Sequence, residues 1–249
     1  MSLAGKRIVV TRASTQASTF ARRLEECGAL PLLYPCVEIQ YASDYDVPEN
    51  PDWIVFASQN AVCALAAKLN RENPPTPFFK GGNKIAAVGR ETARAVQTVF
   101  GITPHIVPQR FDAASLAAVL PVRAGENVFL PQSHIGGDVL EEALVRKGAH
   151  ITRVVAYQTL KGSGGIHFLS HLRDKQISAV TFASPSALRY FIERLNDEGA
   201  SIEILKDISI ACIGPTTYRE AVKYNFKSIV TAKDHTTDGL IAALEEHFA

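Results

Sequence analysis

The chain carries little that would commit it to a membrane, a nucleic acid or a nucleotide. Lys plus Arg number 26 against 25 for Asp plus Glu, a net charge of +1, and no Lys/Arg-rich run stands out. The electrostatic footprint of nucleic-acid binding is therefore missing. No apolar stretch reaches the length needed to cross a bilayer. Met1-Ser2-Leu3-Ala4 runs straight into a strand at Lys6, which leaves no room for a leader peptide and makes the cytoplasm the expected location. Cys27, Cys36, Cys63 and Cys212 are scattered, with no Cys-x-x-Cys pair. They read as buried thiols in a reducing compartment, not as disulfides or a structural zinc site. No Gly-x-Gly-x-x-Gly follows the first strand, and Walker-type spacing is absent. His167 and His171 lie four apart, but no third ligand accompanies them, so a solvated helix face is the expectation. Neither a metal nor a cofactor is expected.

What the chain does have is an internal duplication. Phe56-Ala57-Ser58-Gln59-Asn60-Ala61-Val62 returns as Phe182-Ala183-Ser184-Pro185-Ser186-Ala187-Leu188, 126 positions later. Ala87-Val88-Gly89-Arg90-Glu91-Thr92 returns as Cys212-Ile213-Gly214-Pro215-Thr216-Thr217, at offset 125. Fainter pairs flank these: Gly5 to Val10 with Gly125 to Leu130, and Gly28-Ala29 with Gly148-Ala149, both at offset 120. Ser115 to Leu120 matches Gly239 to Leu244 at offset 124. A period this long indicates a duplicated domain, not short stacked repeats. Two similar lobes and a ligand-binding cleft between them are expected. The length of 249 residues and the apolar fraction of 47% suit two ordinary globular domains.

Short apolar runs alternate with helical patterns. Arg7 to Thr11, Trp53 to Phe56, Ile85 to Val88, His105 to Val107, Asn127 to Leu130, Ile151 to Val155, Ala179 to Phe182, Ile208 to Ile213 and Ser228 to Val230 read as strands. Helices are expected to follow most of them, the first capped by Ser14 or Thr15 and others starting near Gln59, Arg90 and Asp112. Such alternation gives parallel sheets, so the fold class is α/β. Val37 to Tyr41 and Val154 to Leu160 break the rhythm, each prolonging an earlier strand. Pro74-Pro75-Thr76-Pro77 and Gly81-Gly82 read as loop.

Ligands of parallel sheets bind where strands end and helices begin. Four such junctions carry hydroxyl or amide side chains: Ser58-Gln59-Asn60, Arg90 with Thr92, Ser184-Pro185-Ser186, and Pro215-Thr216-Thr217. Helix N-termini there favour an anion. At any one junction helix capping is a sufficient explanation; repetition in both copies argues for more. A lone strand tyrosine such as Tyr157 reads as packing. The residues by themselves reach a bilobal, anion-binding α/β protein, either an enzyme or a non-catalytic carrier of an acidic metabolite.

The ordered set of Val10-Thr11-Arg12, Phe56 to Val62, Ala87 to Ala93, Ala156-Tyr157-Gln158-Thr159, Phe182 to Ala187, Ile213 to Thr217 and Thr237-Asp238-Gly239-Leu240 resembles the uroporphyrinogen-III synthase family. The resemblance runs from about Lys6 to Leu244. It implies an α/β protein of two similar lobes, each a parallel sheet flanked by helices, joined by a two-stranded β ribbon. Residues 1–36 with 161–249 would form one lobe, 42–153 the other, and 37–41 with 154–160 the hinge. Duplication alone would suggest a sequential split near residue 122.

The resemblance also implies the substrate, the linear tetrapyrrole hydroxymethylbilane with eight carboxylates, and a monomer that needs no cofactor. It implies Tyr157 as proton donor to the leaving hydroxyl, and substrate contacts from Thr11, Arg12, Ser58, Gln59, Asn60, Thr92, Ser184, Ser186, Thr216 and Thr217. The chain departs from the family at Pro131-Gln132-Ser133, where an Arg-Gly pair would stand, and at Ala57 and Ala183, where hydroxyl residues are frequent.

Overall fold

The computed structural model describes residues 2–71, 82–174 and 176–249, with Arg71 described in its backbone alone. The loop expected at Pro74-Pro75-Thr76-Pro77 lies outside the described residues. In chain order the elements are β1 (Arg7–Val10), α1 (Ser14–Glu26), β2 (Leu30–Leu33), β3 (Val37–Tyr41), β4 (Trp53–Phe56), α2 (Gln59–Arg71), β5 (Lys84–Ala87), α3 (Arg90–Phe100), α4 (Ala113–Val119), β6 (Asn127–Ser133), α5 (Val139–Arg146), β7 (His150–Lys161), α6 (Phe168–Arg173), β8 (Ala179–Phe182), α7 (Pro185–Asp197), β9 (Ser209–Cys212), α8 (Pro215–Val222), β10 (Ile229–Thr231) and α9 (Thr237–Phe248).

The fold is α/β, and the contacts divide it into two compact units, Met1–Glu38 with Leu160–Ala249, and Ile39–Thr159. One sheet has the order β10-β9-β8-β1-β2 and the other β3-β7-β6-β4-β5. Within the first, β1 pairs in parallel with β2 and β8, and β9 with β8 and β10. Within the second, β4 pairs in parallel with β5 and β6, and β6 with β7. Central strands β4, β8 and β9 are buried along their whole length, as parallel strands covered on both faces must be.

The sheet orders explain the unequal offsets of the duplication. Reading β10, β9, β8, β1, β2 against the Ile106 bridge, β5, β4, β6, β7 aligns the two sheets strand for strand. The offset is 120 for β1 with β6 and β2 with β7, and 125 to 126 for β9 with β5 and β8 with β4. Each unit thus joins the opening strand–helix–strand segment of one copy to the remainder of the other.

Alternation on each central strand sorts its side chains into two layers. Trp53 and Val55 join Leu116, Val128, Leu130 and Leu144 on one face. Ile54 and Phe56 join Leu65, Phe129, Ala156 and Tyr157 on the other. In the other unit Ile8 and Val10 pack with Phe20, Leu24, Leu240 and Leu244. An aromatic group there, Tyr34, Phe168, Phe182 and Phe191, meets with ring centroids 5.2 to 5.9 Å apart.

Three local expectations are corrected. The strand expected at His105 to Val107 shrinks to a single bridge, Ala86 with Ile106. Pro104 and Pro108 bracket it, and each lacks the amide that would extend a ladder. Helix α1 is not capped by Ser14 or Thr15; Ala13 stands at the cap without a side-chain bond, and its carbonyl accepts from Gln16 and Ala17. Finally, Val37 to Tyr41 does not prolong β2 but forms a separate strand, β3, in the other sheet, whereas Ile151 to Leu160 runs on as the one strand β7, as expected. Its first half runs parallel to β6. Its far half runs antiparallel to β3, since the Ala42 amide donates to Ala156 and the Gly162 amide to Cys36.

Candidate active site

In an open parallel sheet the ligand crevice forms where successive connections depart to opposite sides, just past the strand carboxyl ends. One sheet reverses in this way between β1 and β8, the other between β6 and β4. The first reversal point carries Thr11, Arg12, Ser184 and Ser186. The second carries Ser58, Gln59, Asn60, Ser133 and Tyr157.

Sequence places Ser58 at the start of α2, and its Oγ accepts the Ala61 amide at 3.1 Å. Ser184 does the same for α7, accepting the Ala187 amide at 3.2 Å. Beyond that shared capping bond the two diverge. Ser184 Oγ lies 3.0 Å from Ser186 Oγ, whereas Ser58 Oγ lies 2.9 Å from the Tyr157 hydroxyl.

Tyr157 reaches this point because β7 is irregular. Gln132 pairs with Val155, but the next pair is Ser133 with Tyr157, so Ala156 is the extra residue of a β-bulge. Strict alternation would put Ala156 and Tyr157 on opposite faces. The bulge brings both against the same apolar layer as Phe56 and Phe129. Tyr157 is 6% exposed. Burial pushes its phenol above the ordinary tyrosine value, and hydrogen bonds with Ser58, Ser133 and Asn60 oppose that rise. Ser133, the register partner of Tyr157, is a neighbour that the sequence did not single out as a site residue. Its one signal was the departure at Pro131-Gln132-Ser133. Next to it Gln132, the counterpart of Arg12 at offset 120, is 5% exposed and its amide nitrogen has no hydrogen-bond partner.

Thr11 and Arg12 sit at the other reversal point with different commitments. The Thr11 hydroxyl is fully buried and donates to the Thr181 carbonyl at 2.6 Å, while Thr181 donates to Val9 at 2.8 Å. These bonds cross-link β1 and β8. Arg12 donates from Nη2 to Gln16 at 3.1 Å. His171 has its Nδ1 2.9 Å from Gln176.

Helices α3 and α8 begin differently from α2 and α7. Their cap residues are Gly89 and Gly214, with φ of −168° and 178°, and no side chain caps either helix. Extended backbone of this kind suits any residue, so the glycines are needed for space. A Cβ would lie 3.1 Å from Phe111 at Gly89 and 3.1 Å from His235 at Gly214. The two rings stand 124 positions apart, so the covering aromatic belongs to the duplication. Thr92 and Thr217 are buried one turn in, while Thr216 is exposed. Glu91 stands in the first turn of α3, and α8 has no acidic residue there. The first turn of α8 thus lacks the like charge that Glu91 presents at α3, although Pro215 at its first position offers no amide.

Comparison with known proteins bears on the family and the fold. The family model described as uroporphyrinogen-III synthase HemD matches residues 18–242. The chain is 30% identical to the uroporphyrinogen-III synthase of Synechococcus elongatus, over 98% of this chain and 96% of that one. Among solved structures, the uroporphyrinogen-III synthetase of Helicobacter pylori superposes with a TM-score of 0.64 at 16% identity, covering 97% of this chain and 99% of that one. A uroporphyrinogen III synthase from Thermus thermophilus gives a TM-score of 0.62 at 20% identity, with 97% of both chains covered. At such identities the two structures speak for the fold, while the matches along the sequence carry descent: the chain belongs to the uroporphyrinogen-III synthase family.

Proposed function

We propose that the chain closes hydroxymethylbilane to uroporphyrinogen III, with loss of water and inversion of the terminal pyrrole. The observation that carries this reading is the Tyr157 hydroxyl, set 2.9 Å from Ser58 at a sheet reversal point where helix α2 begins. The chemistry asks for two things. Departure of hydroxide needs a proton donor, and a phenol is protonated at neutral pH. Attack at the already substituted carbon of the last ring needs that ring held in place, and positioning is worth several kcal/mol of barrier.

Tyr157 is the proton donor in this proposal. The carboxylates are met by backbone amides and side chains at Ser58, Gln59, Asn60, Thr92, Ser184, Ser186, Thr216 and Thr217, with Thr11 and Arg12 nearby. Amides at helix starts bind anions without a basic surface, which agrees with a net charge of +1. The domain assignment that accompanies this reading is 1–36 with 161–249, and 42–153, connected by 37–41 and 154–160. The reading includes a monomer in the cytoplasm.

The test is an isomer assay. The chain is incubated with freshly generated hydroxymethylbilane, the product is oxidised, and the porphyrin isomers are separated. Excess type III over type I is expected. Binding of the bilane with type I as sole product would make the chain a carrier. Tyr157→Phe is expected to lower turnover by roughly a hundredfold in a folded protein; a loss of a few-fold would reduce Tyr157 to an orienting role.

A further inference from the structure

We propose that Ser133 is a positioning residue for Tyr157, forming with Ser58 a two-hydroxyl cradle for the phenolate left when Tyr157 gives up its proton. The inference rests on the proton-donor role proposed above and extends it to a residue outside the family pattern.

The bulge makes Ser133 the register partner of Tyr157. Without it Ser133 would pair with Ala156, and the phenol would turn to the other face of the sheet. Both serines are fixed by backbone donors: Ala61 to Ser58 Oγ at 3.1 Å, and Ile135 to Ser133 Oγ at 3.4 Å. Neither bond uses the serine's own hydrogen. With the Ala61 and Ile135 amides as their donors, both serines keep a hydrogen to offer the phenol oxygen: Ser58 Oγ lies 2.9 Å from it, and Ser133 flanks Tyr157 as its register partner.

In the reactive step the Tyr157 proton moves to the hydroxyl oxygen of the bilane. The C–O bond breaks with its electron pair and water leaves. Positive charge remains on the methylene carbon and its pyrrole, and negative charge on the tyrosine oxygen. Both serine hydroxyls then donate to that oxygen, with Asn60 beside them. Donors fixed in advance where charge develops lower the barrier without reorganisation. The proton released as the closed ring regains its pyrrole form returns to the phenolate, which balances the cycle. Burial alone makes the phenol a poorer acid, and the hydrogen bonds counter it.

The duplicated unit lacks the counterpart. At the matched offsets Ala13 replaces Ser133 and Val37 replaces Tyr157, and Ser184 bonds Ser186 instead.

The test measures kcat and KM for Ser133→Ala, Ser133→Thr, Tyr157→Phe and the double variant S133A/Y157F, alongside thermal melts. Ser133→Ala is expected to lower kcat by roughly ten- to a hundredfold, with KM changed by less than about twofold. Ser133→Thr restores most of the loss, and Ser133→Ala adds nothing further in the Tyr157→Phe background. Equal losses in both backgrounds, or a KM rise that accounts for the loss, would overturn the cradle and leave the proton-donor role standing. Near-normal turnover of Tyr157→Phe would overturn both. If Ser133→Ala does not fold, Ser133→Cys replaces it, keeping the size with a weaker donor, and is held to the same outcomes.

Discussion

Ser58 and Ser184 arise from one ancestral position and cap their helices by the same bond, yet Ser58 alone touches a phenol. The difference gives a paired prediction. Replacing either by Ala removes a cap and costs about 1 kcal/mol of stability. Ser58→Ala is expected to lose kcat as well, because the Tyr157 oxygen loses a partner, whereas Ser184→Ala acts through KM. Melting curves with steady-state kinetics check both, and a kcat loss no greater for Ser58→Ala than for Ser184→Ala contradicts the distinction. Capping serines are legible in a sequence because cap preference is local. Ser133 is not, since its place depends on one extra residue in a neighbouring strand. Thr11 shows the converse: the hydroxyl stands at a strand end, as the motif implies, but is spent on the Thr181 carbonyl.

In each unit one helix start is capped by serine and another is opened by glycine under a ring. Strand and helix order was readable from apolar runs because the central ones, β4, β8 and β9, are buried on both faces. The bridge at Ile106 and the bulge at Ala156 were not, because pairing irregularities follow from neighbouring strands. The glycine starts were readable, but their cause was not: the space over Gly214 is filled by the protein's own His235. Gly214→Ala therefore forces the ring aside and is expected to cost roughly 1–3 kcal/mol. His235→Ala in the same chain removes the obstacle and restores most of that stability. Gly89→Ala with Phe111→Ala is a weaker rescue, since Phe111 also lies under the Arg90 guanidinium, 5.4 Å from ring to Cζ. Additive losses for Gly214→Ala and His235→Ala, measured by denaturant titration, contradict the steric account.

The two units carry different titrating groups, so pH should separate them. In the unit containing residues 160–249, burial and a bond to Glu198 hold the Tyr34 phenol well above its ordinary 10.0. Burial raises the Cys36 thiol likewise, against Arg194, and pushes Cys212 up to about 12 from 9.0. A folded state that keeps its proton longer than the unfolded chain has its full stability below the unfolded values of 9.0 and 10.0, and loses it as pH rises beyond them. The other unit has fewer such groups: Tyr41, raised by burial to about 12, and Cys63 and Tyr157, also raised by burial. It holds the depressed carboxylates instead. Glu126 is lowered by the Arg123 amide, and Asp112, against its burial, by Ser115 and Arg110. Their contribution is present above 4.5 and 3.8 and is lost as pH falls. The single tryptophan, Trp53, is buried in this second unit and donates to Glu126 at 3.1 Å, so its fluorescence reports that unit alone. Far-ultraviolet circular dichroism reports both. Above about pH 9.5, in reductant, the dichroism transition is expected to run ahead of the fluorescence transition, and below about pH 4.5 the order reverses. Coincident transitions at both extremes would mean that the two cores melt as one and that these ionisations do not set the order.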